Sequence, residues 1–278
     1  MFQFGGSILN PVVALTRIVG SLHDPISNKI NVDGWYDSVE EFSKEEREEL
    51  ERVSSIDEKV EIAKLGLYDS AQLTGELGYT TAERRAMRPT IEVVGIYGGF
   101  REEGIKTVLP SLAHAKISFR MAKGQDPETL WSLFEEHIAK VSPVLAPGCT
   151  VTLQRFDKGA PAYIADRESP GFTIAGEVFD EVYQKPHTYS REGGSINAVA
   201  LFKEVIGLDT VAVSFQANDD GMHGPNERFR LADMAKSQAA YVRLFLKLAR
   251  HYSEDKLIFE TNATKQSVAD LSPTDETA

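Results

Sequence analysis

The chain has 278 residues, 42% hydrophobic and 26% charged, the balance of an ordinary soluble globular protein with room for one large domain or two modest ones. Its formal net charge of −12 argues against nucleic acid as a main partner, because phosphate binding needs a basic face. A single cysteine, Cys149, excludes an internal disulfide and fits a reducing, cytoplasmic setting; no apolar run approaches the ~18 residues of a membrane span, and "MFQFGGSILNP" lacks the basic start of a secretory signal.

Asn10-Pro11 reads as a helix start, a capping side chain followed by proline in the first turn. Val12, Leu15, Ile18, Val19 and Leu22 then recur at helical spacing. Ser43 with Glu46 three positions on forms a capping box for a charged surface helix over 43–53. Residues 90–96 ("TIEVVGI") and 113–120 ("AHAKISFR") read as strands, the second alternating Ala113, Ala115, Ile117 and Phe119 on one face. Asp126-Pro127 opens a helix carrying Leu130, Leu133, Phe134 and Ile138, and 149–155 ("CTVTLQR") reads as a third strand. One more strand in front would complete β-α-β-β-α-β, the ferredoxin-like unit, so the pattern is expected to lack its first strand. The expected division is 1–158 for this domain, with an inserted helical region over about 31–88, then 159–252, then a polar, mobile tail over 253–278.

After Gly159 the pattern changes. Ser169-Pro170 starts a helix with Phe172, Ala175, Val178, Phe179 and Val182. The glycine-rich "REGGSIN" (191–197) leads into a helix through Phe202; 209–215 ("DTVAVSF") reads as a buried strand. A loop with His223 and a long helix from about Leu231 to Arg250 follow. The order suits part of an α/β layer structure, with too few strands for a domain by itself.

Three features can carry chemistry. His223 follows an apolar run, where α/β proteins place functional groups, with Asp219, Asp220 and Glu227 close in sequence. A metal ligand and a hydrogen-bonded surface histidine are both open readings, because a catalytic zinc site needs about three protein ligands and no second histidine stands at ligand spacing. In "REGGSIN", Gly193 and Gly194 permit a tight turn with free N–H groups, beside Glu192 and Ser195; an ordinary turn capped by Ser195 is the plainer reading. Thr107 and Arg120 are polar groups at expected strand edges, and a guanidinium suits a carboxylate, although a surface salt bridge is the commoner use.

The runs "FGGSILNPVVAL", "GWYD", "GIKTVLP", "AKISFRM", "KGAPA", "REGGSI" and "DDGMHGPNERF", in this order, resemble the M20 family of metallopeptidases, in its carnosinase-like dipeptidase branch. The resemblance spans about residues 4–250 and implies a fold, a chemistry and a cofactor. The fold is α/β with an α+β lid: a ferredoxin-like dimerisation domain followed by the C-terminal part of a zinc-peptidase catalytic domain. The chemistry is hydrolysis of dipeptides or related amides, with amino-acid deacylation as the family alternative, on two zinc ions in a homodimer. By matching motif, His223 would be a metal ligand. Glu192, Gly193, Gly194 and Ser195 would line the substrate site, and Thr107 and Arg120 would bind the substrate carboxylate. The family's remaining ligands and its general-base Glu fall upstream of "FGG", so this chain alone is expected to be inactive, or to act as a non-catalytic dimer partner. Two positions depart from the pattern: Asp157-Lys158 where a histidine is common, and Asn197 where proline is common.

Overall fold

The computed structural model describes residues 4–53, 62, 66–67, 73–189, 191, 196–217 and 219–254. Two compact units emerge. Unit 1 holds Met1–Ala165 with Tyr189–Thr210, and unit 2 holds Asp166–Thr188 with Val211–Ala278.

Unit 1 begins with α1 (Pro11–Ser21). The Asn10 side chain accepts a hydrogen bond from the Val12 N–H at 2.9 Å, using one of the donors that a helix start leaves unpaired. Ala14 and Ile18 of α1 and the following Leu22 turn inward. α2 (Lys44–Val53) starts at the expected box: the Glu46 N–H donates to Ser43 Oγ at 3.2 Å, and the Ser43 N–H to Glu46 Oε2 at 2.9 Å. A second capping box, Thr80 with Glu83, starts α3 (Thr81–Met87). Strands β1 (Thr90–Gly98) and β2 (Ala113–Arg120) pair antiparallel from Thr90↔Arg120 to Gly98↔Ala113. A bulge at Val94 lets Val93 face Ile117 and Ile96 face Ala115 across the ladder. The α1 helix lies close on this sheet: a Cβ at Gly98 would meet Val12 Cγ2 at 3.0 Å and the Ala113 Cβ at 3.1 Å. Helix α4 (Pro127–Leu145), capped by Asp126, returns beneath it.

The core of unit 1 joins α1, β1 and α4 to the turn at 30–35. Trp35 is fully buried, edge-on to Phe119 at 5.0 Å, and Phe119 meets Phe134 at 5.0 Å. Gln125, also buried, donates from Nε2 to the Trp35 carbonyl at 2.6 Å and accepts from the Ala122 N–H at 2.8 Å. Residues 31–39 are turns rather than helix, and they put Val32 and Trp35 into the core. The later part of the 31–88 region is pinned by Arg88. Its guanidinium forks onto Glu76 at 2.8 and 2.9 Å, reaches Glu41 at 3.1 Å, and lies over the rings of Tyr36 and Tyr79 at 4.9 and 4.3 Å. Burial, reinforced by the Glu76 carboxylate, pushes the Tyr36 hydroxyl up to about 12.

Unit 1 also contains α6 (Asn197–Ile206), which runs past Phe202, the expected end, to a left-handed Gly207. Unit 2 packs α5 (Pro170–Tyr183) against α7 (Leu231–Glu254), one turn longer than expected. Phe179 stacks on Phe215 at 5.2 Å, and Phe215 meets Tyr241 at 5.2 Å. Lys247 holds Glu177 at 2.8 Å and Glu181 at 2.6 Å. His187 folds back on α5: its Nδ1 lies 3.0 Å from Asp180 Oδ1 and its ring lies against Gly176, where a Cβ would come within 2.5 Å of Nε2.

Two expected strands are absent. Residues 149–155 and 209–215 are extended but join no ladder; among the described residues the sheet is β1-β2 alone. Their sequences favour strand through Val, Thr and Phe, yet a strand needs a neighbour with free N–H and C=O groups at about 4.8 Å. The ferredoxin-like pattern is therefore present as α1, β1, β2, α4 and an unpaired extended stretch. The expected tail lies outside the described residues from 255 onward. Among the described residues no helix is long and apolar enough to cross a membrane.

Candidate functional site

His223 sits in the loop between the extended 209–217 stretch and α7, in unit 2. The loop is built by its own charges. Asp220 is buried; its Oδ2 accepts from the Ala217 N–H at 2.8 Å, and its carbonyl accepts from the Arg228 N–H at 2.9 Å. Asp220 Oδ1 makes no hydrogen bond among the described residues and faces Arg230 Nη1 at 3.4 Å. Asp219 takes Arg228 at 2.9 Å and also Arg230, whose hydrogen bond holds the Asp219 carboxyl below the usual carboxylate range. With Asp219 and Asp220 engaged by arginines and Glu227 taking Gln216 Nε2 at 3.1 Å, the acidic neighbours of His223 are spent on shaping the loop. His223 itself is exposed, with φ of 61°, a left-handed conformation that histidine tolerates better than most residues.

Among the described residues no three His, Cys, Asp or Glu side chains gather as a metal would require. His223 is thus a single exposed donor, and these residues do not fit a zinc site by themselves. Beside the loop, an open groove in unit 2 is lined by Val213, Phe215, Gln216, Glu227, Arg228 and Tyr241.

Thr107 and Arg120 belong to unit 1. Arg120 closes β2, opposite Thr90, with its side chain exposed. Thr107 is not at a strand edge as expected. It lies in the 99–112 connection, exposed, at the centre of a tight turn closed by the Val108 N–H donating to the Lys106 carbonyl at 2.9 Å. The connection enters β2 at Ala113, about 23 Å of strand from Arg120 at the usual rise per residue. The strand register alone does not bring this pair together.

Glu192, Gly193, Gly194 and Ser195 lie outside the described residues. Arg191, just before them, was not singled out in the sequence. Its Nη2 donates to Glu46 Oε1 at 2.9 Å, its guanidinium lies 4.1 Å from the Phe42 ring centroid, and its buried Nη1 has no hydrogen-bond partner among the described residues. These contacts anchor residue 191 on the start of α2. The signal available was an arginine flanking a glycine turn, and nothing in one sequence pairs it with Glu46, 145 positions away.

The other histidines have structural roles. His114 stacks on Tyr97 at 4.7 Å, and buried His137 lies 3.5 Å from Ser21 Oγ. Asp157 and Lys158, where the resembled pattern carries a histidine, are held by Arg155, which donates from Nε to the Asp157 carbonyl at 2.9 Å and from Nη2 to the Lys158 carbonyl at 2.5 Å and forks onto Glu128.

Residues 4–145 match the peptidase dimerisation domain of the M20 group. The chain belongs to the M20 peptidase family. The match covers α1, β1, β2 and α4, the elements around the unit 1 core. Among curated relatives, the M20 chain is 28% identical to the Cys-Gly metallodipeptidase DUG1 of Saccharomyces cerevisiae over 250 residues, 87% of this chain and 50% of that protein. It is 24% identical to the human Beta-Ala-His dipeptidase over 251 residues, 89% of this chain and 48% of that one. The M20 chain thus spans about half the length of the curated relatives it matches. The solved dipeptidase Dug1p from Saccharomyces cerevisiae superposes with a TM-score of 0.71 at 27% identity, over 87% of this chain and 50% of that one. The M20 metallo-carboxypeptidase Sso-CP2 from Sulfolobus solfataricus gives 0.72 at 23% identity, over 87% and 53%, and shares the fold.

Proposed function

We propose that this M20 chain serves the hydrolysis of dipeptides or related amides, and that its residues supply the dimerisation unit and part of the substrate and metal surroundings. The observation that carries the reading is the continuous similarity, over 87% of the chain, to a protein named as a Cys-Gly metallodipeptidase. Arg120 would hold the substrate's terminal carboxylate through its planar, permanently charged fork, with Thr107 as a hydroxyl partner. Glu192 and Ser195 would flank the substrate, and Gly193 and Gly194 would let the backbone approach it. His223 would be one ligand of a zinc site in a homodimeric enzyme. Among the described residues no group of three possible ligands gathers around His223, so the remaining ligands of such a site would come from outside them.

The test is immunoprecipitation from the native cells with an antibody against residues 160–250, followed by a Cys-Gly and β-Ala-His hydrolysis assay. Turnover that is lost on chelation and regained with zinc is the expected result. Absence of any such turnover in the precipitate overturns the reading. The purified 278-residue chain assayed alone is expected to be inactive.

A second reading, in which the chain is a non-catalytic partner pairing with a full-length M20 protein, is favoured by the dimerisation match over residues 4–145. Native mass measurement of a co-expressed pair decides it: a mixed dimer supports it, and separate species remove it.

A further inference from the structure

The loop that carries His223 holds a backbone that its sequence does not favour. The Gly224 N–H donates to the Gly221 carbonyl at 2.8 Å, which makes 221–224 a tight turn with His223 as its third residue. His223 has a φ of 61° there, and a positive φ at the third residue of a turn is normally left to glycine or asparagine. Gly221 and Asn226 are left-handed as well, but glycine has no Cβ to clash and asparagine adopts that backbone readily. A histidine held left-handed costs free energy that its surroundings must offset. Asp220 is the residue placed to do so, because both legs of the loop are tied to it. Its Oδ2 accepts from the Ala217 N–H at 2.8 Å, its N–H donates to the Ala217 carbonyl at 3.0 Å, and its carbonyl accepts from the Arg228 N–H at 2.9 Å. The Asp220 side chain is 0% exposed, with Arg230 Nη1 and Arg228 Nε lying 3.4 and 3.8 Å from Oδ1. Asp219 makes closer contacts to the same two arginines, but its side chain is 54% exposed, and such pairs contribute little.

We propose that Asp220 is the positioning residue of His223: it ties the two legs of the loop from inside and so keeps His223 left-handed, with its side chain exposed. Three hydrogen bonds from one buried residue fix the chain on both sides of the turn, which leaves residues 221–227 little freedom to relax. Away from water these bonds are expensive to lose, whereas an exposed arginine released from Asp219 is simply hydrated. The side chain at 220 must supply an acceptor to the Ala217 N–H, which asparagine can do and alanine cannot. What His223 is used for rests on the hydrolase proposed for this M20 chain; its backbone, and the test of what holds it, do not.

The experiment is nuclear magnetic resonance on the intact, metal-free 278-residue chain and on its Asp220→Ala, Asp220→Asn and Asp219→Ala variants. In Asp220→Ala the amides of Gly224 and Arg228 are expected to exchange at least about tenfold faster, while those of α5 and α7 keep their rates. The Cα and Cβ shifts of His223 should move from left-handed values toward those of an ordinary loop histidine. Asp220→Asn should restore both readouts, and Asp219→Ala should leave both near those of the parent. Unchanged His223 shifts in Asp220→Ala overturn the proposal. So does an equal effect of Asp219→Ala, which would put the hold on the outer arginine pairs. Equal acceleration in α5 and α7 would mean that Asp220 serves unit 2 as a whole, and overturns it too. A second measurement repeats Asp220→Ala in a His223→Gly background, where the turn needs no holding. The fall in urea midpoint should be smaller there than in the parent, and a chain that folds only in the glycine background counts the same way. An equal fall in both backgrounds, or failure to fold in both, overturns the proposal.

Discussion

The two units solve the problem of burial differently. In unit 1, helices α1 and α4, strand β1 and the turn at 30–35 close around Trp35, Leu22, Ile91 and Leu130, all at 2% exposure or less. In unit 2, α5 buries Ile174, Ala175 and Val178, but among the described residues α7 buries only Ala240, while Val242, Phe245 and Leu246 stand 60%, 65% and 54% exposed. Unit 1 has enough apolar surface turned inward to anchor itself. Unit 2 is held by the small buried face of α5, by a run of ring contacts through Tyr183, Phe179, Phe215, Tyr241 and Phe245, and by largely exposed ion pairs such as Lys247 with Glu177 and Glu181. Exposed ion pairs are each worth ~1 kcal/mol or less. Among the described residues, the apolar stripe of α7 is left uncovered while that of α1 is buried.

The sharpest way to break this contrast is Trp35→Ala. Removing a fully buried indole that also packs on Phe119 should cost unit 1 about 4 kcal/mol, read as a fall in the urea midpoint followed by Trp131 fluorescence. A loss below about 1 kcal/mol would mean that the unit 1 core is not the anchor. Arg88→Met comes next, at about 3 kcal/mol, because it strands the nearly buried Glu76 carboxylate. The companion double variant with Glu76→Gln should recover much of that loss. Acid should weaken unit 1 before unit 2. Burial holds the His23 and His137 imidazoles below their ordinary 6.5, so both are kept neutral in the fold. The unfolded chain takes up protons first as pH falls, so this stability is complete above about 6.5 and is lost as pH drops toward the folded values. Urea midpoints between pH 7.5 and 5 should fall, and His137→Gln should flatten that slope. The smallest effect belongs to Phe245→Ser on α7, within about 0.5 kcal/mol for the chain as it stands. A loss of 2 kcal/mol or more would show that the exposed stripe is covered after all.

Local chemistry was legible wherever one short stretch carries the whole signal. Asn10 caps α1, Ser43 and Glu46 box α2, and Asp126 caps α4, each by a bond spanning three residues or fewer. The alternation of Ala113, Ala115, Ile117 and Phe119 marked β2 with its correct ends. Stretches 149–155 and 209–215 read equally well as strands and are not, because a strand is a property of two edges and the local sequence encodes one. The same reasoning explains the site. His223 was legible as a loop histidine, but its acidic neighbours turned out to be matched to Arg228 and Arg230. Arg191 was missed because its partners Phe42 and Glu46 are distant in sequence.

The sequence by itself determined the capped starts of α1, α2 and α4, the inward face of β2, the acidic balance of charge and, through an ordered set of motifs, the family. Those depend on side chains acting on their own backbone or on their spacing along it. Only the tertiary structure decided that Trp35 would centre a core, that Arg88 would lie between two tyrosine rings, and that 149–156 would run beside the core without a ladder. Each of these is set by groups from distant stretches meeting in space, where packing and hydrogen-bond geometry, rather than local preference, select the outcome.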